Sequence, residues 1–325
     1  MKNIALVTGG YSSEAEVSLR SAAYVKSMFD KTLYNVELII ISGDEWVLER
    51  NGQRFAVNRN DMTVNIETDT LRFDAAYILI HGTPGEDGKL QGYFETIRMP
   101  YTGCGILASA ITFNKFACKI YLSSYNIPTA KAILVRKGDK ADPDKIAEEL
   151  GLPCFVKPNN GGSSYGVSKI KTTGDIITAL ESAFCHDNEI IIESFIEGTE
   201  ITCGLLKKGS EIVVLPVTEV VPESEFFDYE AKYKGKSKEI TPARISENVR
   251  AECERLSRTI YEALNCRGIV RIDYIVRNNI PHFIEVNTIP GMTEQSFIPQ
   301  QIACMGWPLT DFLTCQIEDA LTRYR

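Results

Sequence analysis

The sequence predicts an N-terminal α/β domain built on a parallel sheet, followed by an α+β region in two parts. Three observations carry this reading. Apolar strand-length runs alternate with helical periodicity at the start of the chain, as a parallel sheet requires. A turn-rich loop, His81-Gly82-Thr83-Pro84-Gly85-Glu86-Asp87-Gly88, closes the third of those runs. From Glu189 onward short strands dominate, interrupted by a single long helical pattern.

The first strand is expected at Asn3–Thr8, a helix at about Glu16–Phe29, and further strands at Asn35–Ser42 and Ala75–His81. In open α/β sheets ligands bind outside the carboxyl ends of strands, which draws attention to the loop after Ala75–His81. A helix carrying Asn114, Lys115 and Lys119 follows, then strands at Ala132–Val135, Cys154–Lys157 and Gly166–Lys171 with a helix at Pro143–Leu150. Strands are expected at Ile190–Glu193, Ile201–Lys207 and Ile212–Val220, a helix at Glu247–Leu264, and two last strands at Gly268–Val276 and His282–Val286. The irregular stretch Pro222–Pro242 exceeds the usual length of a structureless loop, which marks it as functional or partly helical. Boundaries near 104 and 193 divide the chain into segments 1–104, 105–193 and 194–325.

Composition narrows the partners. The chain has 325 residues, 44% hydrophobic and 24% charged, with a net charge of −8. That is an ordinary folded composition. The acidic balance argues against binding duplex nucleic acid, which depends on neutralising phosphates. It leaves room for a local basic pocket. No apolar run approaches the ~20 residues of a membrane helix, and Met1–Val7 reads as a strand rather than a secretory signal. The 9 cysteines are scattered without a Cys-x-x-Cys pair, which suits buried free thiols in a reducing cytoplasm. Only 3 histidines are present and no His-Glu-x-x-His, so a His-based metal site is not expected.

Arg271, Asp273, Glu285 and Asn287 form the sharpest constellation. Each pair is two residues apart on its strand, so its members share a face. A two-residue loop at Asn278-Asn279 pairs Asp273 with Ile284 and sends Glu285 to the other face. A three-residue loop, Arg277-Asn278-Asn279, pairs Asp273 with Phe283 and puts all four polar residues on one face. Two carboxylates and a carboxamide gathered there repel one another unless a hard cation such as Mg²⁺ joins them.

A second signal is Lys157 followed by Pro158-Asn159-Asn160-Gly161-Gly162-Ser163-Ser164 between two strands. Glycines let backbone N–H groups approach phosphate oxygens, and a lysine neutralises them as a point charge. Three near-matches fail. Gly162-Ser163-Ser164-Tyr165-Gly166 has the spacing of a nucleophile elbow but leads into a strand, not a helix. Gly235-Lys236-Ser237 ends like a Walker A loop, yet Glu230 stands at the first glycine. Thr8-Gly9-Gly10 lacks the dinucleotide spacing.

Taken in order, several motifs together resemble the ATP-grasp superfamily and, within it, the D-alanine–D-alanine ligase family. They are Gly9 to Ser18, His81-Gly82 with Gly85-Glu86-Asp87-Gly88, Lys157 with Gly162-Ser163-Ser164, Tyr229-Glu230-Ala231-Lys232-Tyr233, Arg271-Ile272-Asp273, and Glu285 to Thr293. The match covers essentially the whole chain. It implies that 105–193 and 194–325 are the halves of an ATP-grasp fold with ATP between them.

The resemblance implies roles for single residues. Lys115 and Lys157 contact phosphates. Glu193 and Glu200 sit on the adenosine side, and Ile196 and Lys232 also belong to the nucleotide site. Asp273, Glu285 and Asn287 hold Mg²⁺ or Mn²⁺, two ions in all. Glu14 takes the ammonium of the first D-alanine, tied to Ser163 and Tyr233. Arg271 and the Gly291 N–H stabilise the oxyanion, and Ser296 meets the second carboxylate. Lys232 and Tyr233 fall in the irregular stretch, which in the family is an ω-shaped lid. The implied product is D-alanyl-D-alanine, a peptidoglycan precursor, made in the cytoplasm by a homodimer. A ligase using D-lactate and a silent ATP-binding module are the alternatives. Tyr233 disfavours the first, since depsipeptide-forming relatives are expected to carry histidine there, and the retained Arg271–Asp273–Glu285–Asn287 set disfavours the second. The chain departs from its relatives at Ser194, where many carry a basic residue, and at Asn159-Asn160.

Overall fold

Ile4, Ala5, Leu6 and Val7 are all 0% exposed. An unbroken apolar run is what a strand covered on both faces needs, and it builds the middle strand of the parallel part of the first sheet. The computed structural model describes residues 1–162, 165–222 and 237–324. In it β1 (Lys2–Gly9) lies parallel to both β2 (Tyr34–Ser42) and β7 (Ala75–Ile78). The helix α1 (Ala15–Met28) crosses from β1, burying Val17, Ser18, Ser21, Ala22 and Val25 at helical spacing.

The expected parallel sheet proves to be mixed. The hairpin ribbon β3 (Glu45–Arg50), β4 (Gln53–Asn58), β5 (Thr63–Ile66) and β6 (Asp69–Leu71) extends it, giving the order β6-β5-β4-β3-β2-β1-β7. All four added strands pair antiparallel. Their outward faces are charged and exposed, so the apolar signal that marks β1, β2 and β7 is thin there.

The second sheet holds β8 (Ala132–Arg136), β9 (Cys154–Pro158), β10 (Ser168–Ile170) and β11 (Glu189–Ser194), in the order β10-β9-β11-β8. Helices Pro143–Leu150 and Ile176–Ala183 close its core with Ile146, Ile176 and Leu180. The third sheet is β15 (Ser237–Ile240), β14 (Thr218–Pro222), β12 (Thr199–Lys208), β16 (Val270–Arg277) and β17 (Ile280–Asn287), with β13 (Glu211–Val214) paired to β12. The single strand expected at Ile212–Val220 is therefore two. Pro216 interrupts it, because proline cannot donate to a ladder.

Two packing features position the site. Phe312, Leu313 and Ile317 of the last helix, Leu309–Arg323, join the core of the first sheet. Ala108, Cys118 and Leu122, from helices Ile106–Phe113 and Lys115–Ser123, join the core of the third sheet together with Leu256 and Ile260 of the helix Glu247–Ala263.

The hairpin β16–β17 resolves the question of register. Arg277 pairs with Ile280, so the loop is Asn278-Asn279 alone, with φ of 52° and 62°. Two left-handed residues make the turn whose twist suits a two-residue hairpin. Tyr274 pairs with Phe283, but a bulge follows, and Asp273 pairs with Glu285 rather than Ile284. Ile284 is the extra residue. The bulge does what the longer loop was invoked to do: Arg271 stands opposite Asn287, and Asp273 opposite Glu285. A β-branched residue at a left-handed position is penalised, so Asn279→Val should cost about 1–2 kcal/mol of stability. Urea unfolding measures it, with Asn279→Gly as the neutral comparison.

Candidate active site

The second and third sheets face each other across a cavity of about 830 Å³. Lys115, Lys157, Glu193, Ile196 and Glu200 line it, with Asp273 and Glu285 at one end. A second cavity of about 790 Å³ opens on the first domain. Glu14, Arg271, Asn287, Gly291 and Ser296 line that one. Glu200, Asp273 and Glu285 border both. The carboxylate pair created by the bulge thus stands where the two cavities meet.

In the first cavity Glu193, fully buried on β11, takes ion pairs from Lys157 on β9 and, at 2.6 Å, from Lys119. Burial alone raises a carboxyl pKa, but the two ammonium groups outweigh it and hold Glu193 at about 2. For Lys119, burial lowers the pKa more than Glu193 raises it, since one carboxylate serves two cations. Lys115 lies 3.4 Å from Glu285 and donates to the Gly161 carbonyl. Three ammonium groups therefore converge on a cavity bordered by carboxylates, a basic pocket inside an acidic protein. Sequence reasoning leaves Lys119 out of the site. The signal was present: it is four residues beyond Lys115, on the same helix face.

The inner wall has two aromatic residues that the sequence reading also omits. Phe155 and Phe195 have ring centroids 5.8 Å apart, and Lys169 Nζ sits 3.9 Å over the Phe195 ring. Ser194, the position of departure, lines the same cavity, and its hydroxyl donates to the Leu150 carbonyl at 2.8 Å.

In the second cavity Arg271 clasps Asp273 through Nε at 2.9 Å and Nη2 at 2.7 Å, while Asn287 Nδ2 donates to the same carboxylate at 3.0 Å. Thr202 Oγ1 completes the set at 2.6 Å. The Phe297 ring lies beneath the guanidinium at 5.2 Å. Ser296 precedes the helix Phe297–Cys304 without capping it through its side chain; its Oγ bonds Thr293 instead, and a Cβ at Gly291 would approach that Oγ to 3.0 Å.

Glu14, 8% exposed, stands at the start of α1. A Cβ on Gly82 would meet Glu14 Oε2 at 3.1 Å, and one on Gly162 would meet it at 2.8 Å. Gly82 also has φ +71°, so glycine is required there twice over. The loop after β9 of the second sheet and the loop after β7 thus close on one carboxylate. Gly162→Ala should displace Glu14 and lower kcat/KM for the molecule that occupies the second cavity by about 10–100-fold, the kinetic equivalent of overpacking by about 1–3 kcal/mol. Steady-state kinetics at saturating ATP test this.

His81 and Glu86 hold the floor. His81 bonds the Ile289 carbonyl through Nδ1 at 2.8 Å and Ser21 Oγ through Nε2 at 3.2 Å. Burial lowers its pKa against the pull of Glu14, so the ring is neutral. Glu86 accepts the backbone N–H groups of Gly82 at 2.8 Å and Ile289 at 3.0 Å. Burial, with Glu14 nearby, raises its carboxyl to about 8. These bonds tie the first domain to the segment leading to Gly291. Ser163, Lys232 and Tyr233 lie outside the described residues, as does most of the expected lid.

Asp273, Glu285 and Asn287 supply hard oxygen donors on one face, a set that suits Mg²⁺ or Mn²⁺ completed by phosphate oxygens and water. Among the described residues all the cysteines are free thiols, and no helix is long and apolar enough to cross a membrane.

Comparison with known proteins agrees with this geometry. Residues 3–104 match the family model of the D-ala D-ala ligase N-terminus, and residues 121–318 that of the D-ala D-ala ligase C-terminus. A D-alanine–D-alanine ligase from Bacteroides fragilis is 48% identical over 320 residues, covering 98% of this chain and 99% of that protein. The crystal structure of D-alanyl-alanine synthetase A from Vibrio cholerae superposes with a TM-score of 0.89 at 28% identity, covering 99% of this chain and 98% of that one. A D-alanine–D-alanine ligase from Bacillus anthracis, solved in complex with ATP, gives a TM-score of 0.82 at 29% identity, covering 100% and 99%. Two family models that together span most of the chain, and a full-length relative at this identity, make the chain a member of the D-alanine–D-alanine ligase family.

Proposed function

We propose that the protein is an ATP-dependent ligase that joins two D-alanine molecules into D-alanyl-D-alanine through an acyl phosphate, for peptidoglycan precursor synthesis. The observation that carries this is the meeting of two cavities at Asp273 and Glu285, one rich in lysine and the other holding Glu14, Arg271, Gly291 and Ser296. A carboxylate is a poor electrophile, and phosphorylating it makes the carbonyl attackable. That chemistry needs a nucleotide on one side, amino acids on the other, and charge compensation between them.

Lys115 and Lys157 offset the charge of the phosphates, Glu193, Ile196 and Glu200 line the rest of the nucleotide site, and the family resemblance adds Lys232 to the residues that serve the nucleotide. Glu14 receives the ammonium of the first D-alanine and orients its carboxylate toward the junction, with Ser163 and Tyr233 as its partners. Asp273, Glu285 and Asn287 would hold Mg²⁺ or Mn²⁺, two ions, whose charge counters that of the transferring phosphoryl group. When the second amine attacks the acyl phosphate, Arg271 and the Gly291 N–H stabilise the oxyanion, and Ser296 fixes the attacking molecule by its carboxylate. Water would hydrolyse the acyl phosphate, which is the reason for a lid carrying Tyr233. The working protein is a cytoplasmic homodimer, and 1–104, 105–193 and 194–325 are its functional segments.

Purified protein given ATP, Mg²⁺ and D-alanine should release phosphate and form the dipeptide in equal amounts. Phosphate release that D-alanine does not stimulate contradicts the proposal. Supplying D-lactate as the second substrate at neutral pH tests the acceptor, and preference for lactate would overturn the choice of D-alanine.

A further inference from the structure

Asn159, at the end of β9, is 0% exposed and belongs to none of the groups assigned above. The helix Lys115–Ser123 starts against it. A helix N-terminus leaves backbone N–H groups without intrahelical partners. Here the Lys115 N–H donates to the Asn159 carbonyl at 3.1 Å, and the Phe116 N–H donates to Asn159 Oδ1 at 2.8 Å. Asn114 caps the next one, accepting from Ala117 N at 2.9 Å. Two of the three caps therefore come from the residue that follows β9 of the second sheet.

The other half of the Asn159 carboxamide is also fixed. Its Nδ2 donates to Glu189 Oε2 at 3.1 Å, where Asn114 Nδ2 arrives at 3.2 Å, and its own N–H donates to the Glu189 carbonyl at 2.9 Å. Glu189 is held on its other oxygen by Arg136 Nε at 3.0 Å. Asn114 and Asn160 form an antiparallel bridge beside this cluster.

The placement matters because the helix and the strand have different allegiances. Cys118 and Leu122 of the helix pack in the core of the third sheet, whereas β9 belongs to the second. Lys115 is the first residue of the helix; Lys157 is two residues before Asn159. One buried side chain thus joins the two elements that bring lysines to the cavity from opposite walls, at the root of the glycine loop.

We propose that Asn159 is a positioning residue for phosphoryl transfer: by capping the Lys115 helix from the end of β9, it sets the spacing between Lys115 and Lys157 across the triphosphate. The inference rests on the assignment of those lysines to ATP phosphates. Phosphoryl transfer has little covalent chemistry for a protein to supply, so spacing of charge is a large part of the catalysis.

The test compares Asn159→Ala, Asn159→Asp, Glu189→Gln and the double variant Asn159→Asp/Glu189→Gln, with melting curves alongside kinetics. Asn159→Ala should raise the KM for ATP about tenfold and lower kcat, with the KM for D-alanine little changed, because a small misplacement of charge is costly in kcat/KM. Asn159→Asp keeps the acceptor for Phe116 but sets two carboxylates together, and should show the same defect. In the double variant the amide introduced at position 189 donates to the carboxylate introduced at position 159. Asn114 Nδ2 shares that Glu189 oxygen and loses its acceptor in the double variant, so ATP kinetics should recover only part of the way from Asn159→Asp toward Glu189→Gln. A lower Tm with an unchanged KM for ATP assigns Asn159 to stability alone and overturns the inference. Lys115→Ala separates the two levels. If it leaves the KM for ATP unchanged, the lysine assignment fails and the inference with it; if it raises that KM while Asn159→Ala does not, only the inference fails.

Discussion

Replacing Arg271 with lysine should lower kcat by about 10²–10³-fold, the usual cost of removing one oxyanion-stabilising donor. The charge survives the substitution, but the geometry does not. Arg271 presents Nε and Nη2 to Asp273 at 2.9 and 2.7 Å while its plane rests on the Phe297 ring. A lysine offers a point charge without that planar fork and cannot be held by the ring in the same way. Charge alone is therefore insufficient. Both groups of the Arg271–Asp273 clasp are largely shielded from solvent, at 14% and 9% side-chain exposure, so the loss reaches Asp273 as well. The KM for ATP should move far less than kcat, because Arg271 lines the second cavity and not the lysine-rich first one. A kcat within tenfold of the parent value would remove Arg271 from the chemistry.

Glu193→Ala should have the largest effect on stability. It leaves Lys119 and Lys157, 6% and 13% exposed, without the carboxylate that they share. Breaking a buried ion pair by removing one partner costs about 3–5 kcal/mol, because the remaining charge stays desolvated. The pH dependence carries the same signature. The folded pKa of Glu193, about 2, lies below its ordinary value of 4.5, so the unfolded chain binds this proton more readily. The stabilisation is complete above pH 4.5 and is lost as the pH falls from there toward 2. Denaturant unfolding at a series of pH values should show this acid-side loss in the parent protein and a shallower one in Glu193→Ala. Equal slopes would mean that the carboxylate is not held by the lysines.

Much of this was legible from residues alone. The apolar run Ile4–Val7 announces a doubly covered strand, and the alternation in 271–273 and 285–287 announces two polar pairs each on one face. The strands Glu45–Leu71 were not legible, because their outward charges at a sheet edge resemble a polar loop. The bulge at Ile284 was invisible for a different reason. Register depends on how a chain pairs, and nothing in Phe283-Ile284-Glu285 distinguishes a bulged strand from a regular one. Lysine clustering was half visible: Lys115 and Lys119 share a helix face, but only folding shows that Glu193 lies between Lys119 and Lys157. The Asn159-Asn160 departure, unremarkable in composition, acquires meaning only when the helix start is seen resting on it.

In the proposed reaction a phosphoryl group passes to a D-alanine carboxylate at the junction of the two cavities. Incubating the protein with ATP, Mg²⁺ and D-alanine labelled with ¹⁸O in its carboxyl group measures this directly by mass spectrometry of the released phosphate. An acyl phosphate keeps the bridging oxygen of the amino acid, and aminolysis breaks the carbon–oxygen bond, so each phosphate formed should carry one labelled atom. Dipeptide formed alongside unlabelled phosphate would contradict the account.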